Sequence, residues 1–321
     1  MTAGVLRGAA GVLLLFGAAA SPSGPTDVKS EVGRPAAGVA ANRSAPTLEE
    51  LRNAAYEGVE EAGGSLTLTD GKWEGEPFVE GGASRPSVIL VRDLRLVGDL
   101  DGDGREEAVV LLAAETGGSG EMVYLAVVRR TGTALENIAT APVGDRVQLR
   151  DWRIDGRAIV LEVVQAGEKD AACCPGDLVT RSWRLRPDGL AEGPPTTTGR
   201  LSLGALAGVE WVLRAWARGE PAPAVPEVTL KLDGNRFEGG AGCNNYFAPV
   251  KSGEQPGSLR VGPVGATRKA CPEREMEVED RFLRQLAGAR ELRFSAGRLA
   301  LSYGEKDAAS GVMLFERRVA P

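Results

Sequence analysis

The 321-residue chain contains no histidine. That absence removes His-based catalytic triads, histidine general bases and imidazole ligands for zinc. There is no P-loop, no dinucleotide fingerprint, no G-x-S-x-G elbow and no S-x-x-K pair. Gly117-Gly118-Ser119-Gly120 lies between two strand-like runs and reads as a flexible hairpin turn, not as a nucleophile loop. Lys and Arg are scattered rather than clustered and the net charge is −6, which argues against a nucleic-acid or anionic-membrane surface. No segment after the first 20 residues is apolar enough to span a bilayer. What is present is globular: 43% hydrophobic and 26% charged residues, enough to build a core in each of two ordinary domains.

The chain opens "MTAGVLRGAAGVLLLFGAAASPSG". One Arg precedes an apolar run from Gly8 to Ala20 that ends in Ala18-Ala19-Ala20, the pattern of a cleavable secretory signal. An uncleaved anchor is the competing reading, although the run is short for a bilayer. No Cys lies near the expected cleavage site, so lipid attachment is not expected there. Residues 21–45 are rich in Pro, Gly, Ser and Ala without apolar periodicity and read as a disordered tether, with a glycosylation sequon at Asn42-Arg43-Ser44. The expected location is periplasmic or secreted.

The expected fold class is mainly β (α+β), in two domains at 46–198 and 206–319. The first begins with a helix in "TLEELRNAAYEGVEEAGG": Thr47 and Glu50 make a capping box, Leu48, Leu51, Ala55 and Val59 share a helical face, and Gly63-Gly64 stops it. Strand-like runs then recur about every ten residues, among them "SLTLT", "SVILV", "EAVVLLA", "EMVYLAVV" and "AIVLEVV", as in antiparallel β domains. "AEGPPTTTG" (191–199) reads as the linker. The second domain has strand-like pieces around one helix, with Pro272 in its first turn, Met276, Phe282, Leu283 and Leu286 as its buried stripe, and Gly288 at its end.

Within that second domain stand Trp211 and Leu213, the turn Gly242 to Tyr246, the segment Thr267 to Cys271, Glu279 with Phe282 and Leu283, and a closing strand pair from Leu299 to Phe315. In this order they resemble the META domain family, which includes HslJ-like proteins. The resemblance covers about a third of the chain. It implies a compact β-rich fold with one helix and an association with envelope stress, secretion or antibiotic tolerance, and it implies no enzymatic activity. Lipid-anchored members carry a cysteine that this chain lacks. Gly239, Gly240 and Gly242 with Asn244 and Asn245 read as a tight, irregular crossing, in which the Asn244 side chain bonds local backbone or faces a ligand.

Four cysteines allow three connectivities. Because Cys243 and Cys271 sit in the two most META-like motifs, a bond between them is the simplest pairing. Cys173 and Cys174 are adjacent in "KDAACCPGD". A vicinal disulfide, free thiols, pairing with the other domain, or a redox or soft-metal role all remain open for them.

The remaining motif is "VGDLDGDGREEAVVLL" (97–112), five carboxylates within nine residues followed by aliphatics. Asp99, Asp101, Asp103 and Glu107, with the backbone carbonyl of Arg105, offer the hard oxygens that calcium prefers. The twelfth position is Val110 and the flanks are strand-like, so the motif is no EF-hand. It resembles the calcium loops between strands of FG-GAP repeats, in a single copy. The alternative is a solvated Asp/Gly turn that holds no ion.

These readings point to an exported, non-enzymatic envelope or extracellular protein that binds a partner protein or small ligand, or protects against stress, with a structural calcium ion. The alternative is an enzyme using carboxylates, such as a glycan hydrolase, which needs two carboxylates flanking one cleft.

Overall fold

Thr47 opens the described fold as expected. Its Oγ1 accepts the Glu50 N–H at 3.3 Å, and the Glu50 carboxylate accepts the Thr47 N–H at 2.8 Å. The helix α1 (Leu48–Leu51) nevertheless lasts one turn, and the chain then runs as β1 (Ala55–Val59), paired antiparallel with β2 (Gly64–Thr67). The helical face counted Ala55 as buried, whereas Tyr56 and Val59 are the buried residues and Ala55 is exposed. Two features decide this. Gly58 adopts φ +77°, closed to a right-handed helix, and the Tyr56 hydroxyl donates to the Leu51 carbonyl at 2.8 Å where the helix would have continued. The structure, a computed structural model, describes residues 44–91, 94–115, 117–118, 120–171, 173–304 and 310–318. The expected signal sequence and the tether up to residue 43 lie outside the described residues.

The next six strands form one sheet: β3 (Lys72–Glu74), β4 (Ser87–Leu90), β5 (Leu96–Gly98), β6 (Glu107–Glu115), β7 (Glu121–Thr131) and β8 (Ala134–Asp145). Its order is β3-β4-β6-β7-β8, with β5 beside β4 on the same edge of β6. Strand β6 is buried on both faces, which explains its uninterrupted aliphatic run. Ala108, Val110 and Leu112 point toward Leu51, Tyr56 and Val59, while Val109 and Leu111 point toward a second core with Ile159 and Trp183. Asn137 interrupts the apolar alternation of β8. Its amide donates to the Val127 and Ala139 carbonyls, both at 3.0 Å, and accepts the Glu57 N–H at 2.8 Å, holding a bulge in register.

The second layer of this sandwich comprises β9 (Gln148–Asp155), β10 (Ala158–Gln165), β11 (Asp177–Arg186), β12 (Gly189–Glu192) and β13 (Thr196–Arg200). Both β12 and β13 pair with β11. The stretch read as a linker is therefore part of the sheet. Pro194 and Pro195 fall between the two short strands, where a missing N–H costs no ladder bond.

The last sheet holds β14 (Glu210–Ala217), β15 (Glu220–Pro221), β16 (Thr229–Asp233), β17 (Arg236–Gly240), β18 (Asn245–Ser252), β19 (Leu259–Val261), β20 (Gly265–Ala266), β21 (Ala289–Ser295), β22 (Arg298–Tyr303) and β23 (Gly311–Arg317). Its main path runs β19-β18-β17-β16-β14-β23-β22-β21, and a bridge from Ser258 to Glu291 joins the two ends into a nearly closed barrel. The helix α2 (Glu273–Ala287) packs on the core through Phe282 and Leu286, with the Phe282 ring edge-on to Tyr246 at 5.1 Å. Met276 and Leu283, expected in the buried stripe, are half-buried. Val278 and Glu279 are buried in their place.

The described residues cluster as one unit. Val164 of β10 belongs to the barrel core, Phe294 N donates to Gln148 Oε1 at 2.9 Å, and Gly297 N donates to the Leu149 carbonyl at 3.0 Å. Gly297 sits at φ +76°, and a Cβ there would fall 2.3 Å from the Trp152 ring. Only glycine fits that approach.

Glu50 also receives Arg130 Nη2 at 2.6 Å, and with the Thr47 N–H this holds its carboxyl down at about 2 instead of the ordinary 4.5. A depressed carboxylate contributes stability above its unfolded pKa and loses it as the pH falls through its folded one. Glu50→Gln is expected to lower stability by about 1 kcal/mol at neutral pH, discounted for partial exposure. The wild-type and variant curves should converge between pH 4.5 and about 2, read by urea unfolding across that range.

Candidate metal centre

The acidic motif closes a hairpin. Gly98 pairs with Glu107, Val97 with Ala108 and Leu96 with Val109, so residues 99–106 form the loop between β5 and β6. Its carboxylates fold back on its own amides. Asp99 accepts the Gly102 and Gly104 N–H groups at 2.5 and 3.1 Å, and Asp101 accepts Asp103 N at 3.0 Å. Gly102 and Gly104, at φ +87° and +81°, make these turns available.

Glu107 is different in kind. As the first residue of β6 it points inward and is 0% exposed. Its Oε2 accepts the Leu100 N–H at 2.9 Å, while its Oε1 is buried with no hydrogen-bond partner. Carboxylate oxygens of Asp99, Asp101 and Glu107 all lie within 4.8 Å of one another. Burial pushes the Glu107 carboxyl above its ordinary range; the Leu100 N–H opposes this, and the charges of Asp101, Asp103 and Asp99 add to it. Three convergent carboxylates with no sulfur or nitrogen ligand form a hard-oxygen donor set suited to calcium.

The other two residues expected at this site stand differently. Asp103 is outside the convergent group: its carboxylate accepts the Arg105 N–H at 2.8 Å and lies 3.8 Å from the Arg105 guanidinium. Arg105 is exposed. Sequence inspection missed the flanking arginines. Arg129 of β7 lies 3.6 Å from Asp101, and Arg157 donates to the Asp101 carbonyl at 3.4 Å. They come from distant parts of the chain, so no local pattern marked them.

A second buried carboxylate lies in the barrel. Glu279 is 5% exposed, and both its oxygens are taken by Asn244: the backbone N–H at 2.6 Å and the side-chain Nδ2 at 3.1 Å. Asn244 Oδ1 in turn accepts the Thr267 hydroxyl and the Lys269 N–H, each at 2.7 Å. The Asn244 side chain was expected to bond local backbone or face a ligand; it ties the turn after β17 to α2 and to the segment before it. Its neighbour Cys243 stands at disulfide distance from Cys271, with Cα atoms 6.0 Å apart. Cys173 and Cys174 also stand at disulfide distance across their shared peptide bond, and the Cys173 carbonyl accepts from Arg293 at 3.5 Å. The inward turn of Glu279 was legible in its spacing, three residues before Phe282 and hence on the same helical face.

This network draws together the turn, the Thr267–Cys271 segment and the helix, three of the motifs that carry the resemblance noted in the sequence. The family model for the META domain matches residues 204–318. The barrel is a META domain. Its helix, its Cys243–Cys271 pair and its Asn244–Glu279 contact all fall inside the matched residues. No curated protein and no solved structure gives a significant match to the chain.

Asn244→Ala leaves Glu279 Oε1, the Lys269 N–H and the Thr267 hydroxyl without these partners, while the backbone N–H of residue 244 still serves Glu279 Oε2. The expected loss is about 3 kcal/mol. Asn244→Asp should lose more, because it sets a second carboxylate against Glu279. Urea unfolding of both variants checks the order.

Proposed function

We propose that this chain is an exported, non-enzymatic binding protein whose META domain serves an envelope or extracellular partner or stress role, and whose first half is fastened by a calcium ion. The observation that carries the calcium reading is the buried, unpartnered Glu107 Oε1 facing Asp99 and Asp101. A buried carboxylate with a free oxygen and like charges around it is costly unless it is protonated or a cation joins it. A divalent ion with Asp99, Asp101 and Glu107 as ligands removes both costs, and Asp103 completes the set by leaving Arg105. Export is supported by four cysteines standing in two pairs at disulfide distance and by the signal-like first 20 residues. Among the described residues no helix is long and apolar enough to cross a membrane.

One observation favours the enzymatic alternative. Glu115 and Glu121 pair across β6 and β7 at a cleft of about 670 Å³ between the sandwich and the barrel. Burial, with Glu115 adding to it, raises the Glu121 carboxyl. Directly paired residues of neighbouring strands share one wall, however, with Cβ atoms about 5 Å apart. A glycosidase needs its carboxylates on opposite sides of the scissile bond. The arrangement is that of a binding wall.

Thermal melts in chelator and in about 5 mM calcium test the ion, since extracellular calcium modules bind at roughly 10⁻⁴–10⁻³ M. A stabilisation approaching about 2.7 kcal/mol at a hundredfold excess over Kd is expected. Asp101→Asn with Asp103→Asn should abolish it, and magnesium should substitute poorly. Glu107→Gln should melt higher than wild type in chelator at neutral pH and ignore calcium. The pH dependence has a definite sign. A carboxyl whose folded pKa is raised favours folding while protonated, so ion-free wild type should lose stability as pH rises through that value. Calcium should remove the loss. Superimposable wild-type melts with and without calcium would leave the loop a simple acidic turn.

Export is tested by fusing residues 1–45 to alkaline phosphatase, which is active only outside the cytoplasm, and by non-reducing peptide mapping of the exported chain. An active fusion and a recovered Cys243–Cys271 cross-link are expected, and Cys271→Ser should cost roughly 3–4 kcal/mol. An inactive fusion with free thiols at both positions refutes the export reading.

A further inference from the structure

The cleft of about 670 Å³ between the sandwich and the barrel has an apolar sheet face on each side. On β6 and β7, Leu111 and Val123 belong to the core shared with Ile159, so by alternation Ala113, Glu115 and Glu121 lie on that same face. On β22 and β23, Leu299, Leu301, Met313 and Phe315 fill the barrel, so Ala300, Ser302, Val312 and Leu314 turn outward to the cleft. Packed sheets stand about 10 Å apart and close the gap by interdigitating their side chains. Here Ala113 on one side and Ala300 and Ser302 on the other are too short to meet, and a slot is left. Ile89, beside Ala113 in register, lines the slot and is 41% exposed. The volume is that of small-molecule sites, and a slot between two sheet faces suits a flat apolar group.

The charges along the cleft do not balance. Of its three arginines, Arg146 pairs with Asp145 at 2.8 Å and Arg293 with Glu291 at 2.7 Å. Arg218 has no carboxylate within ion-pair distance among the described residues. Glu115 and Glu121 stand directly opposite in register, and neither carboxylate has a hydrogen bond or ion pair among the described residues. Like charges in that relation repel. Burial raises the Glu121 carboxyl, Glu115 raises it further, and Arg218 offsets part of the effect. Two unpaired acids against one unpaired base favour an added cation. A bare metal ion fits poorly: these two glutamates belong to no convergent group of three ligands among the described residues, and the walls beside them are aliphatic. An ammonium group on an apolar body satisfies both parts of the cleft, donating to the carboxylates while its body fills the slot.

We infer that this cleft binds a flat, apolar organic amine in its ammonium form, with the charged nitrogen at Glu115 and Glu121 and the ring system in the slot between Ala113 and the Ala300–Ser302 face. The inference rests on the reading of the cleft as a binding site and not on the calcium ion. Binding is therefore measured in chelator, where a loop that never holds an ion gives the same result.

Calorimetric titration of the full chain with naphthylmethylamine, naphthylmethanol and naphthoate, near neutral pH and at a constant ionic strength of about 0.15 M, is the test. The three probes share one ring system and differ in charge. Saturable binding of the amine at one site per chain is expected, about tenfold tighter than that of the alcohol, with naphthoate weakest. Glu115→Gln with Glu121→Gln should bring the amine down to the affinity of the alcohol and leave the alcohol unchanged. That variant should melt no lower than wild type, because it relieves the repulsion across the strand pair. Ser302→Leu, which fills the slot from the outer face of the barrel, should abolish binding of both. Glu277→Gln, an exposed acid on α2, should leave the preference for the amine intact. If none of the probes binds, the binding reading of the cleft falls together with the inference. If the alcohol or naphthoate binds as tightly as the amine, or the double variant keeps the preference, the ligand class alone is overturned.

Discussion

Strand β6 is the constraint on which the first half is built. Eight of its nine residues, from Glu107 to Ala114, are buried, and its side chains enter two different cores by turns. A strand in that position tolerates neither a shift of register nor a polar intruder, because a one-residue slip exchanges the contents of the two cores. The hairpin Gly98–Glu107 sets the register at one end and the pair Glu115–Glu121 sets it at the other. The acidic loop is thus the device that fixes where β6 starts. Glu107 is the one charged residue admitted to the buried part of that strand, and its location at the loop makes an ion able to act on both cores together.

The two buried glutamates show what such a charge requires. Glu279 is fully served from within the chain: Asn244 supplies two donors, and Thr267 and Lys269 hold Asn244 in place. Nothing further is needed, and the contact acts as a joint of the META barrel. Glu107 has one donor, from Leu100, and three acidic neighbours. A satisfied buried network rigidifies, whereas a half-satisfied one is worse than an apolar core. The same residue type under similar burial is structural in one half and points to an outside ligand in the other, and the difference lies in the number of donors.

Much of this was legible in the sequence. The aliphatic runs of β6, β7 and β10, the capping box of Thr47 and Glu50, the span of α2 and the META motifs all correspond to local signals. The failures have local causes too. The first helix was overextended because Ala55 and Val59 fit a helical face, whereas Tyr56 and Val59, three residues apart, are both buried in β1 through the irregularity at Gly58; Gly58 and the Tyr56–Leu51 bond separate the two structures. The Pro-rich 191–199 stretch joined a sheet because its prolines fall between the strands. Strand β8 escaped notice because a side chain, Asn137, carries part of its ladder.

The arginines mark the limit of such reading. Their sequence positions look scattered, and by net charge the chain is acidic. Yet antiparallel pairing turns the chain back on itself so that the ends of β7, β9 and β11 open at the same side as the acidic loop. Sequence separation therefore says little about charge separation in such a fold: residues 129, 157, 184 and 186 share one cavity wall with Asp101. The result places opposite charges in two adjoining sets, acids in the loop and bases beside it. Asp101 belongs to both, through its carboxylate near Glu107 and through Arg129. An ion that draws that carboxylate inward frees Arg129 of one partner, so whatever fills the loop also alters the charge presented by the cavity.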